Sequence, residues 1–293
     1  MEHIHNKAFN SENALKAGIV LNLVFIAVEV FYGIMSNSTA LLADAGHNFG
    51  DVLALGFSWY AIHLSSRKPT SKFTYGLRRS TILAALFNTV FLLAAVVFIL
   101  IETISRIRNP LEIHAASVVA VATAGIIVNG FTAWLFVRGE KHDLNIRSAF
   151  VHFFADAMVS LGVVAGGIVI ALTGYFRLDS LISFAIVAVI LYSAYNLLVD
   201  SIQLSLDAVP ENINILSIRQ YLESLSEVDS IHDLHIWALS TTEAALTVHI
   251  VTNIQPNSDF ISSIRHHLDQ QFQIGHSTIQ VEFENSEPCT TSC

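Results

Sequence analysis

Charged side chains are scarce in this sequence. Lys, Arg, Asp and Glu make up 13% of its 293 residues, whereas hydrophobic residues make up 53%. Mean hydropathy is +0.56. Because soluble domains carry about 25% charged residues, the composition excludes an ordinary soluble globular protein. It predicts a membrane protein.

Cysteine is almost absent, and basic residues are outnumbered by acidic ones. The 2 cysteines, Cys289 and Cys293, lie at the C-terminal end, which excludes a disulfide-rich secreted scaffold. The formal net charge of -9 makes nucleic acid an unexpected partner. Neither the redox chemistry of paired cysteines nor a basic nucleic-acid surface therefore explains this chain.

Long apolar runs dominate the first two thirds of the chain. A membrane-spanning helix needs about 20 largely apolar residues, because its backbone polar groups must be satisfied within the segment. Six stretches meet this requirement: 17–35, 40–62, 81–101, 115–137, 149–173 and 181–199. Most Lys and Arg fall in the flanking segments that are cytoplasmic if both termini lie inside. The sequence predicts six transmembrane helices within the lipid bilayer, with both termini in the cytoplasm.

The pattern changes after the sixth run, where the polar stretch "SLDAVPENIN" indicates a domain boundary. Helical spacing of apolar residues follows over 213–225 and 258–272, and "VDSIHDLHIWAL", "EAALTVHIV" and "STIQVEF" are typical of strands. This order, α-β-β-α-β, predicts a small α+β cytoplasmic domain of the ferredoxin-like or metallochaperone-like kind. We expect an N-terminal tail (1–13), a six-helix transmembrane domain (14–204), the cytoplasmic domain (205–286) and a C-terminal tail (287–293).

Two of the apolar runs contain paired ionisable residues. His47 and Asp51 lie in the second run, and His152 and Asp156 in the fifth. An ionisable side chain at mid-bilayer costs about 2.5–3.5 kcal/mol on insertion scales, so each needs a compensating partner. Since residues i and i+4 share one helix face, the two pairs form a four-ligand cluster if those faces meet.

Two imidazoles and two carboxylates suit a tetrahedral Zn²⁺ site, and the two carboxylates neutralise the ion in an apolar medium. No thiolate is present in any run, which disfavours Cu(I). The alternative is that these residues only form hydrogen bonds or salt bridges between helices. Asp44, one turn before His47, either orients that imidazole or serves helix packing. We expect Glu29 to form interhelical hydrogen bonds.

With these motifs the sequence resembles the cation diffusion facilitators, a family that exports zinc and related divalent metals from the cytoplasm in exchange for protons. The resemblance covers essentially the whole chain and includes "LLADAGH", "LNIRSAFVHFFAD", "HDLHIW" and "TIQVE". It implies a homodimer, a zinc-preferring transport site made of His47, Asp51, His152 and Asp156, and helices that expose this site alternately to each side. The compact loops indicate a bacterial inner membrane.

The resemblance also implies a second metal site, in the cytoplasmic domain. Family members bind regulatory zinc there with residues that match His232, His249 and Glu282, sometimes joined by His276. The alternative is that these are ordinary polar surface residues. Some members hold a further zinc ion between the second and third spans, but here that loop, "SSRKPTSKFTYGLRRST", has no His, Cys or carboxylate, so we do not expect one.

Two further expectations come from the family. A basic residue near the third span pairs with an acidic residue at the start of the cytoplasmic domain, and Arg79 and Asp207 occupy the matching positions. Alternatively, Arg79 only caps a cytoplasmic helix end. In some relatives the termini jointly bind zinc, so His3, His5, Cys289 and Cys293 are candidate ligands unless both tails are disordered.

Three function classes are compatible with an intramembrane metal site. A secondary transporter of Zn²⁺ and protons is the leading interpretation. A membrane zinc enzyme needs an open coordination position and a general base, and no such base accompanies the four ligands. A metal sensor needs a signalling module, and the sequence has no recognisable catalytic or DNA-binding module. We therefore predict a transporter that is not an enzyme.

Overall fold

The computed structural model of the protein describes residues 20–136, 144–253 and 258–283. Its N-terminal two thirds are helical. The helices are α1 (Val20–Met35), α2 (Thr39–Ser65), α3 (Ser80–Arg108), α4 (Ala115–Phe136), α5 (Leu144–Thr173) and α6 (Arg177–Ser205). They coincide with the six apolar runs, which confirms the prediction of a helical membrane domain.

Four segments in the described residues are long and apolar enough to cross a membrane: Ser80–Arg108, Ala115–Trp134, Phe150–Thr173 and Arg177–Ser205. Helix α1 is shorter over its described residues. Helix α2 is 27 residues long, but Asp44, His47 and Asp51 lower its hydropathy. The residues that carry the predicted metal chemistry therefore weaken the hydropathy signal of the helix that contains them.

The described chain forms two compact units. One comprises the described residues up to Gly56 together with Asn88–Asn196, and the other comprises Phe57–Phe87 together with the described residues from Leu197. In the first unit, helices α4 and α5 pack against each other. Gly125 permits close packing, because a Cβ atom there would lie 2.8 Å from both Phe25 of α1 and Ser160 of α5.

The N-terminus of α2 is held by a side chain from α6. The buried Asp179 carboxylate accepts hydrogen bonds from the backbone N–H groups of Thr39 (2.6 Å) and Ala40 (3.2 Å) and from the hydroxyls of Ser38 and Thr39. Ser38 Oγ in turn accepts from the N–H of Leu41 at 3.2 Å. The first N–H groups of α2, which have no partner within the helix, are thus satisfied, and a negative charge lies at its positive end.

The second unit contains the cytoplasmic domain, whose elements follow the predicted α-β-β-α-β order. They are α7 (Ile215–Glu223), β1 (Ser230–Ala238), β2 (Ala244–Thr252), α8 (Ser258–Phe272) and β3 (His276–Phe283). The sheet order is β1-β2-β3, with β1 and β2 antiparallel and β2 and β3 parallel. Since parallel neighbours need a crossover, α8 provides the connection between β2 and β3.

Burial alternates along the central strand β2. Leu246, Val248 and Ile250 are buried in the domain core with residues of α7 and α8, whereas His249 lies on the opposite, more exposed face. His232 of β1 pairs directly with His249 across the sheet, and the register shifts between His232 and His235. The strand pairing therefore places two imidazoles side by side on the face that points away from the core.

Candidate metal centres

The structure brings together the two His and two Asp residues of the predicted intramembrane site. His47 Nε2 lies 3.8 Å from Asp51 Oδ2 and 3.5 Å from Asp156 Oδ1. His152 Nε2 lies 3.4 Å from Asp51 Oδ2 and 3.6 Å from Asp156 Oδ2. Each imidazole of α2 and α5 thus contacts the carboxylate of its own helix and that of the other helix.

Three of the four residues, Asp51, His152 and Asp156, are close enough to share one cation, and His47 lies beside them within 3.8 Å of both carboxylates. With ligand bonds of about 2.0–2.2 Å, neighbouring ligand atoms in a tetrahedron lie about 3.3–3.6 Å apart. The ligand atoms of Asp51, His152 and Asp156 all lie within 4.8 Å of one another. In the described residues, Oδ2 of Asp51 and Oδ2 of Asp156 have no hydrogen-bond partner, so both oxygens remain available to a cation.

Burial is uneven within this cluster. The side chain of Asp156 is 2% exposed, whereas His47, Asp51 and His152 keep 27%, 31% and 39% of their side-chain surface exposed. Three of the four residues are therefore only partly buried within the chain. The buried Asp156 contacts both imidazoles and therefore forms the base of the cluster.

Asp44 contacts a neighbouring helix and not the imidazole one turn away. Its fully buried carboxylate accepts a hydrogen bond from Ser160 Oγ of α5 at 3.2 Å. Glu29 Oε2 accepts from Asn48 Nδ2 at 3.2 Å, which is an interhelical hydrogen bond as predicted. Asp44 thus joins a buried polar network beside the cluster, and no hydrogen bond to His47 is present among the described side chains.

A second cluster lies on the exposed face of the cytoplasmic sheet. His232 Nε2 is 3.1 Å from Glu282 Oε2, and His249 Nδ1 is 2.8 Å from Glu282 Oε1. The two imidazole centroids are 4.9 Å apart. One ligand atom from each residue lies within 4.8 Å of the others, so this face carries a three-residue set that can hold a metal ion.

Electrostatics favours a charged Glu282. Partial burial by itself raises the pKa of this carboxyl, but hydrogen bonds from Gln280 and His232 and electrostatic attraction to His232 and His249 outweigh burial and lower the pKa below its usual value. The group is therefore a carboxylate anion at neutral pH.

Of the other candidate ligands, only His276 lies in the described part of the chain. His276 begins β3, six residues before Glu282, and its ring packs edge-on against Tyr75 with centroids 5.3 Å apart. The structure does not bring it to His232 and His249. His3, His5, Cys289 and Cys293 lie outside the described residues.

Arg79 and Asp207 form an ion pair within one chain. Asp207 follows α6 with a φ of 62°, a left-handed conformation that aspartate tolerates better than most residues. A neighbouring pair that sequence reasoning missed joins Arg78 Nη1 to Glu243 Oε2 at 2.7 Å. The N–H of Thr241 also donates to Thr81 Oγ1 at 3.1 Å, so the turn between β1 and β2 contacts the start of α3.

Sequence reasoning also missed Asp179. Its only sequence signal was an acidic residue in the first turn of an apolar helix, which by itself predicts a favourable interaction with that helix's own N-terminus. In the structure the carboxylate instead reaches the N-terminus of α2, and no local pattern indicates that partner.

The chain combines a helical membrane domain that contains a His and Asp cluster with an α+β domain that contains a His and Glu cluster. This combination is typical of membrane transporters of cations. Residues 15–204 match the family described as the cation efflux transmembrane domain, and residues 210–284 match the cytoplasmic domain of cation efflux proteins. The chain therefore belongs to the cation efflux family, the cation diffusion facilitators. It is a multi-pass membrane transporter with a cytoplasmic C-terminal domain, and not an enzyme.

Several curated relatives are similar over nearly the whole chain. The metal cation efflux system protein CzcD of Cupriavidus metallidurans is 34% identical over 289 residues, which are 98% of this chain and 90% of CzcD. The cadmium, cobalt and zinc/H(+)-K(+) antiporter of Bacillus subtilis is 33% identical, over 97% of this chain and 93% of its own. The zinc transporter ZitB of Escherichia coli is 34% identical, over 90% of this chain and 84% of its own.

A solved structure is also similar to the C-terminal part. It is the metal-bound C-terminal domain of the CzcD transporter from the same Cupriavidus species, with 35% identity. The match covers 24% of this chain and 99% of that domain, with a TM-score of 0.23.

Proposed function

We propose that this protein exports Zn²⁺ from the cytoplasm in exchange for protons, and that His47, Asp51, His152 and Asp156 form the transport site. The observation that carries the proposal is the cluster itself, with four imidazole-to-carboxylate distances of 3.4, 3.5, 3.6 and 3.8 Å between α2 and α5. Each distance is close to an edge of a tetrahedral zinc site, with His47 and His152 on different oxygens of Asp156.

The donor set supports zinc as the substrate. Imidazole and carboxylate ligands suit Zn²⁺, and no cysteine lies in the apolar runs. The names of the relatives agree, since ZitB is a zinc transporter and the Bacillus protein is named for cadmium, cobalt and zinc. We therefore propose zinc as the main substrate, and competition by cadmium in the flux measurement tests this preference.

Charge balance supports protons as the counter-ion. Release of the divalent ion leaves the carboxylates of Asp51 and Asp156 uncompensated in a medium where net charge is costly. Proton binding restores neutrality, and rocking of the helices then returns the protonated site to the cytoplasmic side. The name of the Bacillus relative, which includes H(+) antiport, supports this coupling.

Zinc flux into sealed proteoliposomes tests the proposal. With only this protein in the membrane and an acidic lumen, we expect zinc uptake that stops when an ionophore collapses the pH gradient. Uptake should vanish in Asp51→Asn, and excess cadmium in the medium should inhibit it weakly. An intramembrane site that binds zinc through Asp51 but gives no flux in the wild-type protein would contradict the proposal and favour a structural or sensory role.

We further propose that His232, His249 and Glu282 hold a resident Zn²⁺ ion in the cytoplasmic domain. Their donor set fits the ion, and they supply three positions of a tetrahedral shell, with water or a second chain as the fourth. When bound, the metal contributes a cross-link between β1, β2 and β3. Asp44, by contrast, is proposed to support α2 through its hydrogen bond with Ser160. His276, which packs against Tyr75, is proposed not to be a ligand of the cytoplasmic metal ion.

The stoichiometry of bound zinc checks this cytoplasmic site. In full-length protein whose membrane site is removed by Asp51→Asn and Asp156→Asn, we expect one tightly bound zinc ion per chain and its loss in His249→Ala. His266→Ala is the matched control, because His266 is an exposed histidine on α8 outside the cluster. Equal zinc content in His249→Ala and the control would exclude this site, and a residual ion in both would implicate His3, His5, Cys289 and Cys293.

The remaining assignments are proposals of the same kind. We propose a homodimer in a bacterial inner membrane with both termini in the cytoplasm. We also propose that each chain is divided into the four segments that the sequence predicts: the N-terminal tail, the transmembrane domain, the cytoplasmic domain and the C-terminal tail. The ion pair of Arg79 with Asp207 supports a link between the loop before α3 and the start of the cytoplasmic domain. The three curated relatives described above are bacterial, which supports the location.

A further inference from the structure

The loop between α2 and α3, residues 66–79, carries the most concentrated positive charge in the described chain; we call it the basic loop. Its five basic residues are Arg67, Lys68, Lys72, Arg78 and Arg79. No acidic residue occurs between Asp51 and Glu102. The charge of this loop is therefore not balanced by its sequence neighbours.

Within the described ranges, two of these five charges have counter-ions. Arg78 pairs with Glu243 and Arg79 pairs with Asp207. Among the described residues, Arg67, Lys68 and Lys72 form no ion pair, and all three side chains are exposed. These three cations on one short loop can attract an anionic partner, which the described chain does not supply.

The basic loop is a defined structure that presents these side chains outward. The backbone N–H groups of Thr70 and Gly76 both donate to the carbonyl of Phe73, at 3.0 and 2.8 Å. Gly76 has a φ of 75°, and a Cβ atom there would lie 3.1 Å from the carbonyl oxygen of Arg67. The loop thus closes on itself, and every residue from 66 to 75 is exposed.

The position of the basic loop matches the depth of lipid headgroups. Trp59 and Tyr60, near the end of α2, are 73% and 56% exposed, as expected of aromatic residues at the membrane interface. Ser65, the last residue of α2, lies about 9 Å further along the helix at 1.5 Å per residue. Since each headgroup layer is about 5–8 Å thick, the loop begins at the outer edge of that layer, from which long Arg and Lys side chains reach lipid phosphates.

One aromatic residue completes the arrangement. Phe73 is 47% exposed, and the Lys72 ammonium lies 5.7 Å from the centre of its ring. An exposed aromatic beside a cation suits the boundary between headgroups and acyl chains. The loop is also on the cytoplasmic side, because Arg78 and Thr81 contact the cytoplasmic domain at Glu243 and Thr241.

We propose that the basic loop binds the phosphate groups of anionic phospholipids in the cytoplasmic leaflet, through Arg67, Lys68 and Lys72. Clusters of basic residues directly beside a membrane span bind anionic lipids in this way. The annular lipid at this end of α2 and α3 is then enriched in negative headgroups. This inference depends only on the membrane topology and not on the transported ion.

Spin-label spectroscopy on the full-length protein tests this lipid site. The protein is reconstituted in phosphatidylcholine with spin-labelled phosphatidylglycerol or spin-labelled phosphatidylcholine, and the relative association constant is measured. We expect a preference for phosphatidylglycerol that falls at least fivefold in the triple variant Arg67→Gln, Lys68→Gln, Lys72→Gln, since one basic residue at an anionic surface contributes about fivefold. The preference should also weaken in high salt.

Two controls separate this effect from general changes in charge or folding. The charge-conserving triple variant Arg67→Lys, Lys68→Arg, Lys72→Arg should keep the preference, as should Arg108→Gln at the other end of α3. An unchanged preference in the glutamine variant overturns the proposal. Displacement of the lipid by millimolar inorganic phosphate also overturns it, because the site would then bind a soluble anion. A changed oligomeric state without a change in lipid preference overturns it as well, because the loop would then bind a protein.

Discussion

Replacement of Asp156 by asparagine is expected to reduce zinc flux at least 100-fold. Asp156 is the most buried of the four proposed ligands and lies 3.5 and 3.6 Å from the two imidazoles. The amide has nearly the same shape but no charge, so one carboxylate remains to balance a divalent ion in an apolar medium. Since loss of residues that merely orient ligands costs about 10–100-fold in affinity, loss of a ligand costs more.

The matched control for Asp156→Asn is Glu102→Gln. Glu102 also lies on a membrane helix, but its partner is Arg106, one turn away on the same helix at 2.6 Å. Such pairs contribute about 0.3–0.5 kcal/mol, so the control should transport normally. Flux in proteoliposomes and zinc affinity in detergent are the measurements, with thermal unfolding to verify folding. An Asp156→Asn protein that keeps a tenth of wild-type flux would show that this residue is not a ligand.

Replacement of Asp179 by alanine is expected to destabilise the membrane domain by about 2–4 kcal/mol. The change removes the acceptor for the N–H groups of Thr39 and Ala40 and for the hydroxyls of Ser38 and Thr39. These donors then stay buried without a partner, and α2 loses its connection to α6. Because α2 carries His47 and Asp51, flux should fall together with the unfolding temperature.

Ser183→Ala is the control for Asp179→Ala. Ser183 is also buried on α6 and forms one neutral hydrogen bond, with Thr103 Oγ1 at 2.8 Å. Its loss should cost about 1 kcal/mol. Asp179→Asn keeps one acceptor oxygen and should recover part of the stability. If thermal unfolding shows equal losses for Asp179→Ala and Ser183→Ala, the cap on α2 is not a major source of stability.

Local patterns in the sequence are sufficient to predict much of this protein. Apolar runs of sufficient length predict the membrane helices, because a bilayer requires each helix to satisfy its own backbone. The i, i+4 spacing places His47 with Asp51, and His152 with Asp156, on one face of a helix whatever the rest of the fold does. Alternation along β2 similarly predicts that His249 lies opposite Leu246, Val248 and Ile250.

Prediction is weaker where a residue's partner is distant in sequence. Asp44 is one turn from His47, so local spacing leaves open whether it orients that imidazole or serves helix packing, and the structure gives it Ser160 on α5. His276 and Glu282 belong to one strand, but an extended strand rises about 3.3 Å per residue, so six positions separate them by about 20 Å. Arg78 with Glu243 and Asp179 with α2 were not predicted at all.

The sequence by itself determined the helices and strands, the chemistry of the two ligand sets, and the face of each element on which they lie. Those properties depend on composition and on the periods of single helices and strands. Only the tertiary structure decided that the faces of α2 and α5 oppose each other, that Glu282 joins the two histidines of the sheet, and that Asp179 reaches α2. Which faces meet depends on packing between segments far apart in the chain, and no local period encodes it.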